Sequence, residues 1–441
     1  MSTHNQEADV ARLLELVSPK VGIIRNLSKF VRGVEEPCPP FIYQAILSHF
    51  DYRLAPHMER AAAGKGRTES DAIRGAIGEA IEHYCAAHFN PQTSFVASWE
   101  QLNGKALSPT DCVLYSESQY ARRNFPYHRW SEQDQITWMP VRELPSEHEA
   151  FAPAVLVYLA MDQLKAEDYL CSPTSNGLAA GPTLEFAVLN GLYELVERDG
   201  FLITWMNKMP APRVDFSAMD GLAAEISEHY ARFGTELRIY NLSTDIPIYV
   251  MMALALDRTG QGPAALVGLG CHLDPQVALT KAILEICQGH PGEARRFREE
   301  LKDKSFKDYQ DVRTLEDHSA FLMYPERIGE YSFLLENGRT QSIADLQNFS
   351  QGNARADLER CVESLVGSGC RVFYADLTTP DVADYGFRVV RTIATGLQPM
   401  HFGFGEERLG GRRLFEVPHR MGYAESVRRE GDLNPCPHPL A

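Results

Sequence analysis

The chain has 441 residues, enough for two or three ordinary domains or one large one with lobes, and a core of that size needs no disulfide staples. Its 59 acidic against 43 basic residues give a net charge of −16, which argues against a partner read through a phosphate backbone, so no nucleic acid is expected. Nine scattered cysteines with no CxxC pair suggest neither a disulfide framework nor a structural zinc site, and fit reduced thiols in a cytoplasmic setting.

In chain order, the start MSTHNQEADV is polar and acidic, and export is not expected from it. "GKGRT" at Gly64–Thr68 lacks the GxxxxGK[ST] order of a phosphate loop and reads as a Gly-rich turn. It enters a predicted helix, Glu69–Phe89, with an apolar stripe of Ile73, Ala76, Ile77, Ala80, Ile81 and Tyr84. Glu79 and Glu82 lie opposite, sharing their face with Gly75 and Gly78. A solvated face gains nothing from two mid-helix glycines, each costing about 1 kcal/mol relative to alanine, so something approaches that face closely.

A second helix is read over Ala179–Phe201, apolar nearly all round and therefore buried; Ala187, Asn190, Gly191, Glu194, Glu197 and Arg198 form its one polar strip. Carboxylates on a buried helix are costly unless paired, hydrogen-bonded or bound to metal. The third helix, Pro275–His290, repeats the arrangement with Lys281, Glu285 and Gln288 at i, i+4 and i+7. Glu225 and Glu228, with the same ExxE spacing on an ordinary surface helix, show that spacing alone proves nothing. If the strips converge, their carboxylates make an oxygen-rich cage suited to Mg2+, and Lys281 and Arg198 can hold phosphate oxygens.

Between these helices lie β-rich runs: PIYVMMALAL, whose apolar Ile248–Leu256 stretch is too short to span a bilayer, AALVGLG and RVFYADL. The fold class expected is α/β, mixed α+β, with mixed sheets flanked by helices and no internal repeat. The charge-dense stretch from Glu299 to about Tyr331 reads as a solvated excursion, and GFGEERLGG at Gly403–Gly411 as a hairpin. The tail, GDLNPCPHPLA, alternates Pro435, Pro437 and Pro439 and must be extended.

Together GKGRTESDAIRGAIGEAIEHY, SNGLAAGPTLEFAVLNGLYELVERDG, GLGCHLDPQVALTKAILEICQ, the opening LVSPKVGIIRNL and the Pro-rich end resemble the YcaO family, in particular its azoline-forming cyclodehydratases. The resemblance runs in family order from about Leu16 to the last residue. It implies a YcaO-type fold with a nucleotide site between helices, ATP and Mg2+ as cofactors, and a ribosomal precursor peptide whose Cys, Ser or Thr residues become thiazolines or oxazolines. It carries the Mg2+-binding glutamates onto Glu79, Glu82, Glu194 and Glu197, and nucleotide contacts onto Glu185, Arg198, Lys281, Glu285 and Gln288. It gives the tail residues Pro435, Pro437, Pro439 and Ala441 a part in ordering the active site, and it implies a first segment over 1–60, a catalytic domain over 61–425 and the tail over 426–441.

Several positions depart from the family pattern: Gly75 stands for a serine, His83 for an arginine, Pro182 for an asparagine, Phe186 for a carboxylate and Lys281 for an arginine, which keeps charge without bidentate geometry. With no tetracysteine zinc site in the chain, the resemblance implies a separate E1-like leader-binding partner, an FMN dehydrogenase acting later in the same complex, and a homodimer. Thioamide formation by the same ATP chemistry and a non-catalytic scaffold are the alternatives.

Overall fold

The computed structural model describes residues 10–48, 61–159, 164–301 and 304–440. The strands are β1 (Ile24–Lys29), β2 (Phe41–Leu47), β3 (Ala61–Gly66), β4 (Phe95–Ala97), β5 (Ile136–Leu144), β6 (His148–Pro153) and β7 (Leu178–Gly181), then β8 (Arg213–Asp215), β9 (Thr235–Asn241), β10 (Tyr249–Asp257), β11 (Ala265–His272), β12 (Thr340–Ser342), β13 (Val372–Asp376) and β14 (Arg388–Ala394). The principal helices are α1 (Glu69–Ala87), α2 (Leu184–Met206), α3 (Leu222–Arg232), α4 (Pro275–Glu299), α5 (Ala354–Gly367) and α6 (Arg413–Arg420). This is the mixed α+β class. Among the described residues every named strand pair is antiparallel except β8 with β12, so the sheets are less mixed than the sequence suggests.

Two compact units interleave along the chain, the first built from residues 1–30, 41–195 and 352–397, the second from 31–40, 196–351 and 398–441. The first holds the meander β1-β2-β3 and a sheet ordered β4-β5-β13-β14-β7, with β6 also on β5. Its main core gathers Ile77, Ile81, Ala45, Phe373 and Val389. The second holds the sheet β11-β10-β9-β8-β12, whose core gathers Met251, Ile239, Leu279, Ile283 and Tyr230.

The structure contains a repeat that the sequence reading missed. In each unit an antiparallel meander, β1-β2-β3 or β9-β10-β11, leads into a helix laid on its last strand. Thr68 and Asp274 cap the two helices at matching positions, each side chain accepting from backbone amides of the first turn. A Cβ added to Gly64 would stand 2.0 Å from Ala72 O, and one added to Gly270 would stand 2.1 Å from Ala278 O. Glycine is thus what lets strand and helix backbones meet.

Four expectations need correction. Gly64–Gly66 is the end of β3 rather than a turn, because its glycines are packing sites. The helix expected from Ala179 begins at Leu184: Ala179–Gly181 pairs with β14, Pro182 disfavours a helical Gly181, and Thr183 Oγ1 accepts from Phe186 N. Gly403–Gly411 contains no strand. The Glu299–Tyr331 stretch is no solvated excursion, since Val312, His318, Phe321, Leu322 and Tyr331 are buried.

Candidate functional site

The first unit gathers three of the four glutamates expected to bind metal. β3 lies close to α1: a Cβ added to Gly75 would stand 3.1 Å from Gly64 Cα, and Ala63 N donates to Glu79 Oε2 at 3.0 Å, so the strand approaches that face at Gly75, whereas a Cβ at Gly78 would meet Phe387 at an ordinary 3.9 Å. Glu194, on α2, accepts from Gly177 N at 3.2 Å. Glu82 accepts from the backbone of Ala180 in β7. Part of its side chain remains accessible, yet the carboxyl is hemmed in: burial first, then the charges of Glu194 and Glu79, push its pKa well above the ordinary value. One cation opposes this. Arg391 on β14 is 2% exposed and donates to Val157 O at 3.1 Å and Asn176 O at 2.7 Å. Burial lowers its pKa to about 10, against the pull of Glu194 and Glu82.

Each carboxylate is thus aimed by a backbone amide, and Glu82 and Glu194 both act on the buried Arg391. Among the described residues no three His, Cys, Asp or Glu side chains form a ready-made metal cage. Carboxylate oxygens are the donor type that Mg2+ takes, completed by water and phosphate oxygens. Repulsion among neighbouring carboxylates, as Glu194 and Glu79 exert on Glu82, is what such an ion relieves.

The second unit holds the remaining residues except Glu185, which belongs to the first. Glu197, one turn after Glu194 on α2, pairs with Arg198 at 3.0 Å, both side chains largely buried. The next residue, Asp199, is fully buried and accepts from Gln398 N at 2.8 Å and from Arg413 Nε and Nη2 at 3.0 and 2.6 Å. Arg413 also pairs with Asp245 at 2.8 Å, and Asp245 with Arg420 at 2.8 Å. On α4, Glu285 accepts from Leu269 N just as Glu79 does from Ala63 N, in both cases 16 residues along the chain. Lys281 packs its Cβ against Gly270, and Lys281, Glu285 and Gln288 are all partly buried. Glu185, at the start of α2, is partly exposed and Phe186 is 42% exposed.

The end of the tail is buried in this unit. Pro437, His438, Pro439 and Leu440 are buried and Pro435 is exposed; Ala441 lies outside the described residues. Trp205 Nε1 donates to Cys436 O at 2.9 Å, and Asn434 N to Met206 O at 2.7 Å. Arg391, Arg413 and the histidines beside the tail were absent from the sequence reading. An arginine inside the apolar run of Arg388–Ala394 was the one available signal.

A family model described as YcaO cyclodehydratase, ATP- and Mg2+-binding, matches residues 63–398. A protein of Methanothermobacter thermautotrophicus, described as uncharacterized, is 28% identical over 356 residues, 79% of this chain and 84% of its own. A heterocyclase solved in complex with substrate and cofactor is 25% identical with a TM-score of 0.83, over 99% of this chain; the chain spans 57% of that protein's length. YcaO from Methanopyrus kandleri, bound with AMPPCP and Mg2+, matches with a TM-score of 0.65 at 22% identity over 90% of each chain. No described helix is long and apolar enough to cross a membrane. The glutamate-bearing helices and the match over most of the sequence make this chain a member of the YcaO family, whose cofactors are ATP and Mg2+.

Proposed function

We propose that the chain is the cyclodehydratase subunit of a peptide-modifying system, converting Cys, Ser or Thr residues of a ribosomal precursor peptide to thiazolines or oxazolines in natural-product biosynthesis. The observation that carries the reading is the group Glu79, Glu82 and Glu194, each aimed by a backbone amide, with the charges of Glu79 and Glu194 both felt at Glu82. These glutamates with Glu197 are the proposed Mg2+ ligands. Arg198, Lys281, Glu285, Gln288 and Glu185 are the proposed nucleotide contacts. When bound, Mg2+-ATP supplies a phosphoryl group that makes an amide oxygen a good leaving group. In the overall reaction the side-chain sulfur or oxygen bonds to the preceding carbonyl carbon, the carbonyl oxygen departs with phosphate, and the nucleophile and amide nitrogen each lose a proton. Arg198 and Lys281 offset the charge that gathers on phosphate oxygens.

The buried tail favours azoline formation over thioamide formation, because Pro437 and Pro439 have a fixed place in the second unit. The proposed segments are 1–60, a catalytic domain over 61–425 and a functional tail over 426–441, with Ala441 at its end. The proposed partners are the precursor peptide, an E1-like leader-binding protein, an FMN dehydrogenase and a second copy of the chain, in a cytoplasmic setting.

Calorimetric titration of ATP tests the reading. Mg2+-dependent binding is expected in the native protein and is lost in Glu82→Gln and Glu197→Gln. Since Glu82→Gln removes a carboxyl whose charged form burial, Glu194 and Glu79 all disfavour, its melting temperature without Mg2+ is unchanged or higher. Equal ATP binding with and without Mg2+, or undiminished azoline formation by Glu82→Gln in the reconstituted system, refutes the metal assignment.

A further inference from the structure

Three histidines of the second unit pack together around the tail. The ring of His438 stacks on His318 at 4.1 Å with an interplanar angle of 28°, and His401 meets it edge-on at 4.9 Å. His318 and His438 are each 1% exposed and His401 6%. Their hydrogen bonds fix two tautomers. Gly403 N donates to His318 Nε2 at 2.9 Å, so the proton of His318 sits on Nδ1, which donates to His438 O at 2.9 Å. His438 in turn donates from Nε2 to His401 O at 2.7 Å. The tail residue is therefore held twice, by its carbonyl and by its ring.

The same tail segment is seated on the end of α2. Trp205 Nε1 holds Cys436 O, and Asn434 Nδ2 donates back to Trp205 O at 3.2 Å. Phe201, one turn before Trp205, meets the His438 ring edge-on at 6.1 Å. Arg198 is near enough for its charge to oppose a proton on His438. The helix that carries Glu197 and Arg198 and the tail are thus parts of one packed group. Proline contributes no amide proton, so the alternating Pro435, Pro437 and Pro439 leave the tail few backbone donors, and side chains and carbonyls must do the anchoring.

We propose that His318 is a positioning residue which, with the backbone carbonyl of His401, clasps His438 and so seats the C-terminal tail against the helix bearing Glu197 and Arg198. That this seating serves turnover rests on the cyclodehydratase reading; the clasp does not.

Cys436, 3% exposed and two residues before His438, reports the seating without any assay of activity. The full chain is treated with iodoacetamide, and labelling of Cys436 is followed by mass spectrometry of the tryptic peptide that begins at Glu430. Cys361, fully buried in the first unit, is the reference. His318→Ala and His438→Ala are expected to speed Cys436 labelling about tenfold or more relative to Cys361, since local opening exposes a thiol that the closed tail protects. His318→Asn keeps an N–H donor where Nδ1 stands and should restore most of the protection.

Native-like protection of Cys436 in His438→Ala, a change confined to the tail, overturns the clasp. So does Cys361 labelling that rises in step with Cys436, because the histidines would then support the whole fold. Faster Cys436 labelling with a fall in kcat and little change in KM for ATP supports both clasp and function. Faster labelling with full azoline formation keeps the clasp and refutes the tail's part in the proposed reaction.

Discussion

Removing Arg413 is the sharpest test of how the second unit holds the helix turn after Glu197. Asp199 is fully buried and receives two of its three hydrogen bonds from this guanidinium, so Arg413→Ala leaves a carboxylate with one backbone donor, Gln398 N. Breaking a buried pair from one side costs about 3–5 kcal/mol, most of it the uncompensated charge. Asp245 softens the loss little, because it keeps Arg420 at 2.8 Å and is already 20% exposed. Arg420→Ala is the built-in comparison: its side chain is 45% exposed, and such pairs are worth about 0–1 kcal/mol. The assay is urea unfolding of the full chain followed through tryptophan fluorescence, with Trp205 reporting on this unit. A double-mutant cycle adds Asp199→Ala, whose coupling to Arg413→Ala should reach about 2 kcal/mol. An Arg413→Ala cost within about 0.5 kcal/mol of the Arg420→Ala cost refutes the reasoning, because it would mean water or relaxation satisfies Asp199.

The glycine contacts and the histidines give two more expectations. Gly64→Ala and Gly270→Ala each drive a methyl into a helix carbonyl and should cost about 3 kcal/mol or more in unfolding free energy, whereas Gly289→Ala, in α4 with nothing within 4 Å, should gain about 0.5–1 kcal/mol; equal effects at the three sites would sink the packing argument. Burial lowers the pKa of His318 to about 4 and of His401 to about 3, with Asp317 favouring a proton on His318 while His318 and Arg408 oppose one on His401. Each folded value lies below the unfolded one of about 6.5, so the stability they contribute is complete above that pH and is lost as pH falls toward 4. Unfolding midpoints measured from pH 7 to 5 should decline, and His401→Phe, which keeps a ring and the backbone carbonyl, should flatten the decline; an unchanged slope counts against it.

The helices α1 and α4 were legible because their apolar periodicity is long, and the structure adds that Thr68 and Asp274 cap them. The sequence reading ends α4 at His290, whereas the structure carries it through Pro291 to Glu299. The strand Tyr249–Asp257 was legible as an apolar run. What could not be read was what each polar strip faces. Spacing put Glu79 opposite the apolar stripe, but only three dimensions show that the amide of Ala63 meets it. Arg391 escaped because its partners, Val157, Asn176 and the glutamates, are spread over much of the chain. The tail was read as extended and its burial was not foreseen, because prolines at a chain end say nothing about the pocket awaiting them.

The repeated strand and helix make a natural experiment in what a scaffold constrains. Where the two copies must share a shape, they share residues or residue type: a glycine under the helix, a capping oxygen at its start, a glutamate on the strand amide. Where the shape leaves latitude, they diverge, with Gly75 answered by Lys281 and Glu82 by Gln288. One mould therefore presents an acidic socket in the first unit and a nearly charge-balanced one in the second. Swapping Lys and Gln into the first copy, or Gly and Glu into the second, would transfer a charge pattern between sockets of the same form.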